Sequence, residues 1–109
     1  MNPEERLKQL RNLLKEEPDE AFIHYAICLE LAKISQEEAT RSFRQLMLDF
    51  PDYLPACYQY SFLLAETGQS AEALEISEYG IKLAERLHDL HALAELKNLR
   101  QNILAGEFD

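Results

Sequence analysis

The chain has 109 residues, enough for one domain with a real hydrophobic core and too few for two. It is 47% hydrophobic with only 3 Gly and 4 Pro, which excludes a disordered or fibrous chain and argues against a turn-rich all-β fold. The net charge is −9, and such a surface repels phosphate, so no nucleic-acid partner is expected. No apolar run reaches about 18 residues, and Met1–Gln9 is polar; neither a membrane span nor a secretory leader is expected, and the expected compartment is the cytoplasm.

In chain order, Asn2-Pro3-Glu4-Glu5 predicts a helix start: an Asn cap, Pro at the first position, and Glu three residues on. Leu7, Leu10, Leu13 and Leu14 then make one apolar stripe. Glu16-Glu17-Pro18-Asp19 ends that helix, with Asp19 expected to cap the next. From Ala21 to Lys33, Phe22, Tyr25, Ala26 and Leu29 fall at i, i+3, i+4 and i+7, one face of a helix. Ser35-Gln36-Glu37-Glu38 reads as a capping box. Ala39, Phe43 and Pro51 follow with the spacing A-x3-F-x7-P.

From Leu54 to Lys82 the pattern recurs. Cys57, Tyr60, Ser61 and Leu64 repeat the Phe22 spacing 35 residues on, and Ala73 follows Ala39 by 34. The difference of one residue is assigned to the turn, with Lys33–Gln36 expected to form a slightly longer loop than Thr67–Ser70. Gly68 is expected to take the left-handed stop and Ser70 to cap the next helix. Ala73, Ser77, Gly80, Ile81 and Ala84 share a face. Most are small, so two helix backbones are expected to approach closely there.

These spacings resemble the tetratricopeptide repeat, a helix–turn–helix unit of about 34 residues with the pattern W-x2-L-G-x2-Y, A-x3-F and P. Cys57, Tyr60, Ser61 and Leu64 stand at the first group, and Ala73 and Ser77 at the second; Glu85 replaces the proline. Ala39, Phe43 and Pro51 are the strongest match. Ser77 in place of an aromatic residue leaves room that a larger side chain must fill. The N-terminal helix carries Arg6 where the small alanine would be, and is read as a cap. The family's period asks for a new helix after Leu87-His88-Asp89, with Asp89 as its cap and Ala92, Leu96, Leu99 and Ile103 as its stripe. Glu95 and Asn98 would occupy core positions if the period continued, so this last helix is read as a modified unit or a cap. Gly106 ends it, and Glu107-Phe108-Asp109 is expected to fray.

The expected fold is all-α: antiparallel helix–turn–helix repeats stacked as a short α-solenoid. One domain spans 1–109, with an N-terminal helix at 1–18, repeat one at 19–51, repeat two at 52–87 and a C-terminal helix at 88–106.

Nothing in the chain reads as catalytic: there is no phosphate loop, no G-x-S-x-G and no HExxH. Ser61 and Ser77 are read as packing residues. Cys28 and Cys57 lack ligand spacing and are expected to be buried, reduced thiols. His24 is expected to be exposed or satisfied locally. Glu85, His88, Asp89, His91 and Glu95 form one metal-like cluster. On a continuous helix its members at steps of three drift about 60° per step, so they are read as polar residues at an exposed junction. No metal or other cofactor is expected. The alternative is an enzyme accessory or metal-binding subunit using the Glu85–Glu95 region.

A second apolar stripe carries the functional expectation. Ile23, Ile27 and Leu31 lie beside the first stripe of repeat one, and Tyr58, Phe62 and Ala65 do the same in repeat two. The resemblance implies that first helices line a concave face, so these six residues would pave a groove. Three readings stay open: a groove for a partner segment, a self-association surface giving a homodimer, and internal burial. The acidic excess, −5 within residues 51–85, favours a protein or peptide partner with basic flanks. The family's Lys/Asn/Arg clamp for a terminal carboxylate finds no cation among His24, Ile27, Cys28, Tyr58, Gln59 and Phe62. The expected function is a non-enzymatic protein-interaction module or small adaptor.

Overall fold

Local signals set the helix starts. The Asn2 side chain accepts from the Glu5 amide at 2.9 Å, Ser35 Oγ from the Glu38 amide at 3.2 Å, and Asp89 Oδ1 from the Ala92 amide at 3.0 Å. Each quiets one of the four amide donors that a helix start leaves unpaired. The computed structural model describes all of residues 1–109 and contains six helices and no strand. They are α1 (Pro3–Glu16), α2 (Ala21–Ile34), α3 (Gln36–Asp49), α4 (Pro55–Glu66), α5 (Ser70–Arg86) and α6 (Leu90–Leu104). From α2 to α4 the helix start advances 34 residues, and from α3 to α5 it again advances 34. No helix is long and apolar enough to cross a membrane.

The chain divides into two compact units, Met1–Pro51 with α1 to α3 and Asp52–Asp109 with α4 to α6. In the first, α2 packs on both α1 and α3. Phe43 and Leu46 of α3 are buried with Ala39, and Phe43 is only 1% exposed. The ring of Tyr25 meets Phe43 edge-on, centroids 6.4 Å apart. Cys28 Sγ donates to Ser42 Oγ at 3.2 Å, a second tie between α2 and α3.

In the second unit α5 packs on both α4 and α6. Cys57, Tyr60, Ser61 and Leu64 are all buried. Ser61 Oγ donates to the Ala73 carbonyl at 2.7 Å, and the Tyr60 hydroxyl to Glu72 Oε2 at 3.1 Å, so α4 is bonded to the start of α5. Gly80 sits at a close crossing. A Cβ there would lie 2.8 Å from Cys57 Cβ on α4 and 3.0 Å from Leu96 Cδ1 on α6. Tyr60 and Leu96, both buried, supply bulk beside the small face of α5.

Four local expectations are corrected. The α2–α3 turn is shorter than its counterpart: Ser35 alone separates the helices, against Thr67-Gly68-Gln69. Helix α2 simply runs on to Ile34. Asp19 does not cap α2, because Glu20 takes the extended N-cap backbone and offers no side-chain bond. Ser70 is already the first residue of α5, behind an N-cap Gln69 that also makes no side-chain bond. Phe22 is 61% exposed. The buried residues Ile23, Ile27, Glu30 and Leu31 stand 34 residues before the buried Cys57, Ser61, Leu64 and Ala65. The register of α2 therefore follows the 34-residue step of the helix starts, and Phe22 falls outside it.

The break after α5 is real. His88 takes φ +56°, and the Asp89 amide donates back to the Ala84 carbonyl at 3.0 Å, a left-handed helix stop without glycine. In α6 Leu96, Leu99 and Ile103 are buried, while Glu95 and Asn98 face solvent.

Candidate partner-binding surface

The six residues expected to pave a groove have different fates. Ile23, Ile27 and Leu31 are buried. Glu30 shares their side of α2, at i+7 from Ile23, and Arg6 of α1 reaches it: Nη1 lies 3.6 Å from Glu30 Oε1. Helix α2 packs on both α1 and α3, and these three residues are buried within the first unit. Ala65 is also fully buried. Tyr58 and Phe62 are half-buried and keep part of their rings in solvent.

Tyr58 and Phe62 are one helical turn apart on α4, and their rings lie nearly parallel, 14° apart with centroids at 6.2 Å. A third ring joins them. Phe108, expected in a frayed end, stands edge-on to Phe62 at 85° with centroids 5.4 Å apart. Gly106, at φ +76°, turns the chain past the end of α6, and the Glu107 amide donates to the Asn102 carbonyl at 3.1 Å. The Asp109 amide then donates to the Gly106 carbonyl at 3.1 Å. The sequence signal for this contact is an aromatic residue two positions after a glycine helix stop, in a chain whose α4 carries two partly open rings.

The cysteines, Ser61, Ser77 and His24 are held by burial or by hydrogen bonds. Burial pushes the Cys57 thiol up to about 12, and burial raises Cys28 against the opposing pull of its Ser42 hydrogen bond. Both stay protonated and poorly nucleophilic at neutral pH. Below pH 9 the Cys57 proton is bound in folded and unfolded chains alike. Between there and about 12 the unfolded thiol ionises first, so stability falls as pH rises. Ser61 and Ser77 spend their hydroxyls on the carbonyls of Ala73 and Leu74. His24 Nε2 donates to the Pro18 carbonyl at 2.9 Å, and its ring lies against Phe50.

Glu85, His88, Asp89, His91 and Glu95 are all exposed. His91 Nε2 pairs with Glu95 Oε1 at 3.2 Å, and Asp89 is occupied as a helix cap. No three acidic, His or Cys side chains are gathered in a metal-holding arrangement. A buried acid that the pattern reading overlooked is Glu30, 8% exposed. Its Oε1 faces Arg6 and Lys33, the latter at 3.2 Å, while Oε2 has no hydrogen-bond partner.

No family model matches the sequence, and no curated protein matches it by sequence. Solved structures do match. The chain superposes on the crystal structure of a tetratricopeptide repeat domain protein from Salinibacter ruber with a TM-score of 0.73 and 24% identity, covering 77% of this chain and 96% of that one. A solution NMR structure of a tetratricopeptide repeat domain protein from the same organism gives a TM-score of 0.77 and 24% identity, covering 83% of this chain and 92% of that one. The fold is thus all-α and of the tetratricopeptide-like α-solenoid class.

Proposed function

We propose that the chain is a non-enzymatic protein-interaction module that docks a partner segment on the α4 surface built by Tyr58 and Phe62. Partly open aromatic rings on a rigid helix are strong anchor points for protein partners, since they offer large contact area at little entropic cost. The observation that supports the reading is the state of these two rings: they remain half-buried while Ile23, Ile27 and Leu31, expected to line the same groove, are buried. The acidic excess of residues 51–85 favours a partner with basic flanks and a faster encounter at low salt.

Phe62→Glu tests this. The variant places a charge between Tyr58 and Phe108, where docking would desolvate it without a pair. The melting temperature is expected to change little, and proteins captured from the native host by wild type are expected to be lost. An unchanged set of captured proteins would overturn the reading, and an unfolded variant would show that Phe62 is core. A dimeric wild type that becomes monomeric would assign the surface to self-association.

A further inference from the structure

We propose that this surface is a site for an aromatic side chain, that Phe108 occupies it in the free chain, and that a partner enters by presenting an aromatic residue between basic ones and displacing Phe108. The inference rests on the α4 surface being the docking surface. Its occupant is read from the ring that already sits there. Phe108 meets Phe62 edge to face at 5.4 Å, the geometry aromatic pairs prefer, and the parallel Tyr58 extends the platform by one helical turn.

The hold on Phe108 is slight. Its ring is only half-buried, and Glu107 and Asp109 on either side of it are exposed. The backbone bonds of the segment run to Asn102 and Gly106, its own neighbours in sequence, and none runs to α4. Swinging Phe108 away therefore breaks one ring contact and leaves α4, α5 and α6 in place. A single edge-to-face pair amounts to roughly a twofold to tenfold bias toward the closed arrangement.

Charge sets the flanks. Phe108 lies between Glu107 and Asp109, in a chain with net charge −9. The resident segment thus brings two acids onto an acidic protein. A competitor with Lys or Arg on both sides of its ring replaces like charge with opposite charge. The same contact regulates the site, since the closed state lowers apparent affinity by the fraction of chains that are open.

The test is an NMR titration of the full chain with an acetylated Lys-Lys-Ala-Phe-Ala-Lys-Lys amide, beside a control peptide with Ala for Phe. The Phe peptide is expected to shift the Tyr58 and Phe62 ring resonances and to move the Phe108 ring to a solvent-like shift; the control is expected to leave all three unmoved. Phe108→Ala is expected to bind the Phe peptide roughly twofold to tenfold more tightly than wild type. Binding no tighter than wild type would overturn the latch while leaving the docking surface intact. Equal shifts from both peptides, or none in wild type and in Phe108→Ala, would overturn the aromatic occupant. Phe-peptide binding that persists in Phe62→Glu would overturn the surface itself. A Phe108→Ala variant that sediments as a dimer where wild type is a monomer would assign the site to a second copy of the chain.

Discussion

The α2–α3 and α4–α5 hairpins begin 34 residues apart and solve the same packing problem with opposite materials. In the first, the second helix brings the bulk: Phe43 and Leu46 of α3 are buried, and a half-buried Ala26 stands on the first helix. In the second, the bulk moves to the first helix: Tyr60 is buried at the position of Ala26, while Ser77 and Gly80 stand where Phe43 and Leu46 were. The repeat thus conserves filled volume, not residue identity, which is what dense core packing requires. The second hairpin gains a close backbone approach at Gly80 and a buried bond from Ser61 to Ala73; the first gains a large aromatic core.

The largest expected effect breaks the first hairpin. Phe43→Ala empties a site that is 1% exposed and should cost about 3–5 kcal/mol in chemical denaturation. Ser77→Ala at the equivalent place in α5 removes one hydroxyl bonded to the Leu74 carbonyl and should cost about 1 kcal/mol or less. Equal losses at the two positions would mean that the hairpins do not trade bulk in this way.

The next breaks the second hairpin. Gly80→Leu drives a branched side chain into Cys57 Cβ and Leu96, whose atoms already stand 2.8 and 3.0 Å from a bare Cβ. Overpacking of this kind costs about 1–3 kcal/mol, and the better helix propensity of Leu recovers only about 0.8. A raised melting temperature would contradict the close crossing.

A third prediction sharpens the comparison by making the hairpins more alike. Glu30 occupies in α2 the place that Leu64 holds in α4, with Oε2 unpaired. Its partners Arg6 and Lys33 are half-exposed, so the ion pairs return little of the cost of burying a carboxylate. Glu30→Leu should raise stability by about 1 kcal/mol. A loss of that size would mean that Arg6 and Lys33 hold α1 on α2 through this acid.

Glu30 also marks where the sequence stops being legible. Caps at Asn2, Ser35 and Asp89 could be read because each is a bond between residues three apart. The small face of α5 and the break after Arg86 could be read because both follow from spacing. The register of α2 could not. Its apolar residues fill two neighbouring stripes, and which stripe is buried depends on how α1 and α3 pack on it. That placement is a tertiary fact, marked by Arg6 against Glu30. Spacing alone therefore leaves Ile23, Ile27 and Leu31 between an open groove, a self-association surface and burial, and the structure buries them. The proposed docking surface is legible in part: Tyr58 and Phe62 stand out in the sequence, but the ring that sits on them comes from a segment expected to fray.

The smallest effect concerns the two turns that follow α4 and α5. Gly68 at φ +81° and His88 at φ +56° take the same left-handed stop, and the next amide in each donates five residues back, Gln69 to Leu64 at 2.8 Å and Asp89 to Ala84 at 3.0 Å. One turn uses the residue suited to that conformation; the other uses a histidine, whose Cβ crowds the backbone at a cost of about 1–2 kcal/mol. His88→Gly removes that cost but restores the freedom of glycine in the unfolded chain, which takes back part of the gain. The net should be a rise of about 0.5 kcal/mol. Gly68→Ala is the mirror experiment: nothing lies within 4 Å of the added Cβ, so any loss there comes from backbone conformation alone. If the rise at His88 and the loss at Gly68 match in size, the two turns are one device with different residues. If His88→Gly instead destabilises, the histidine ring contributes more at this junction than its backbone strain costs.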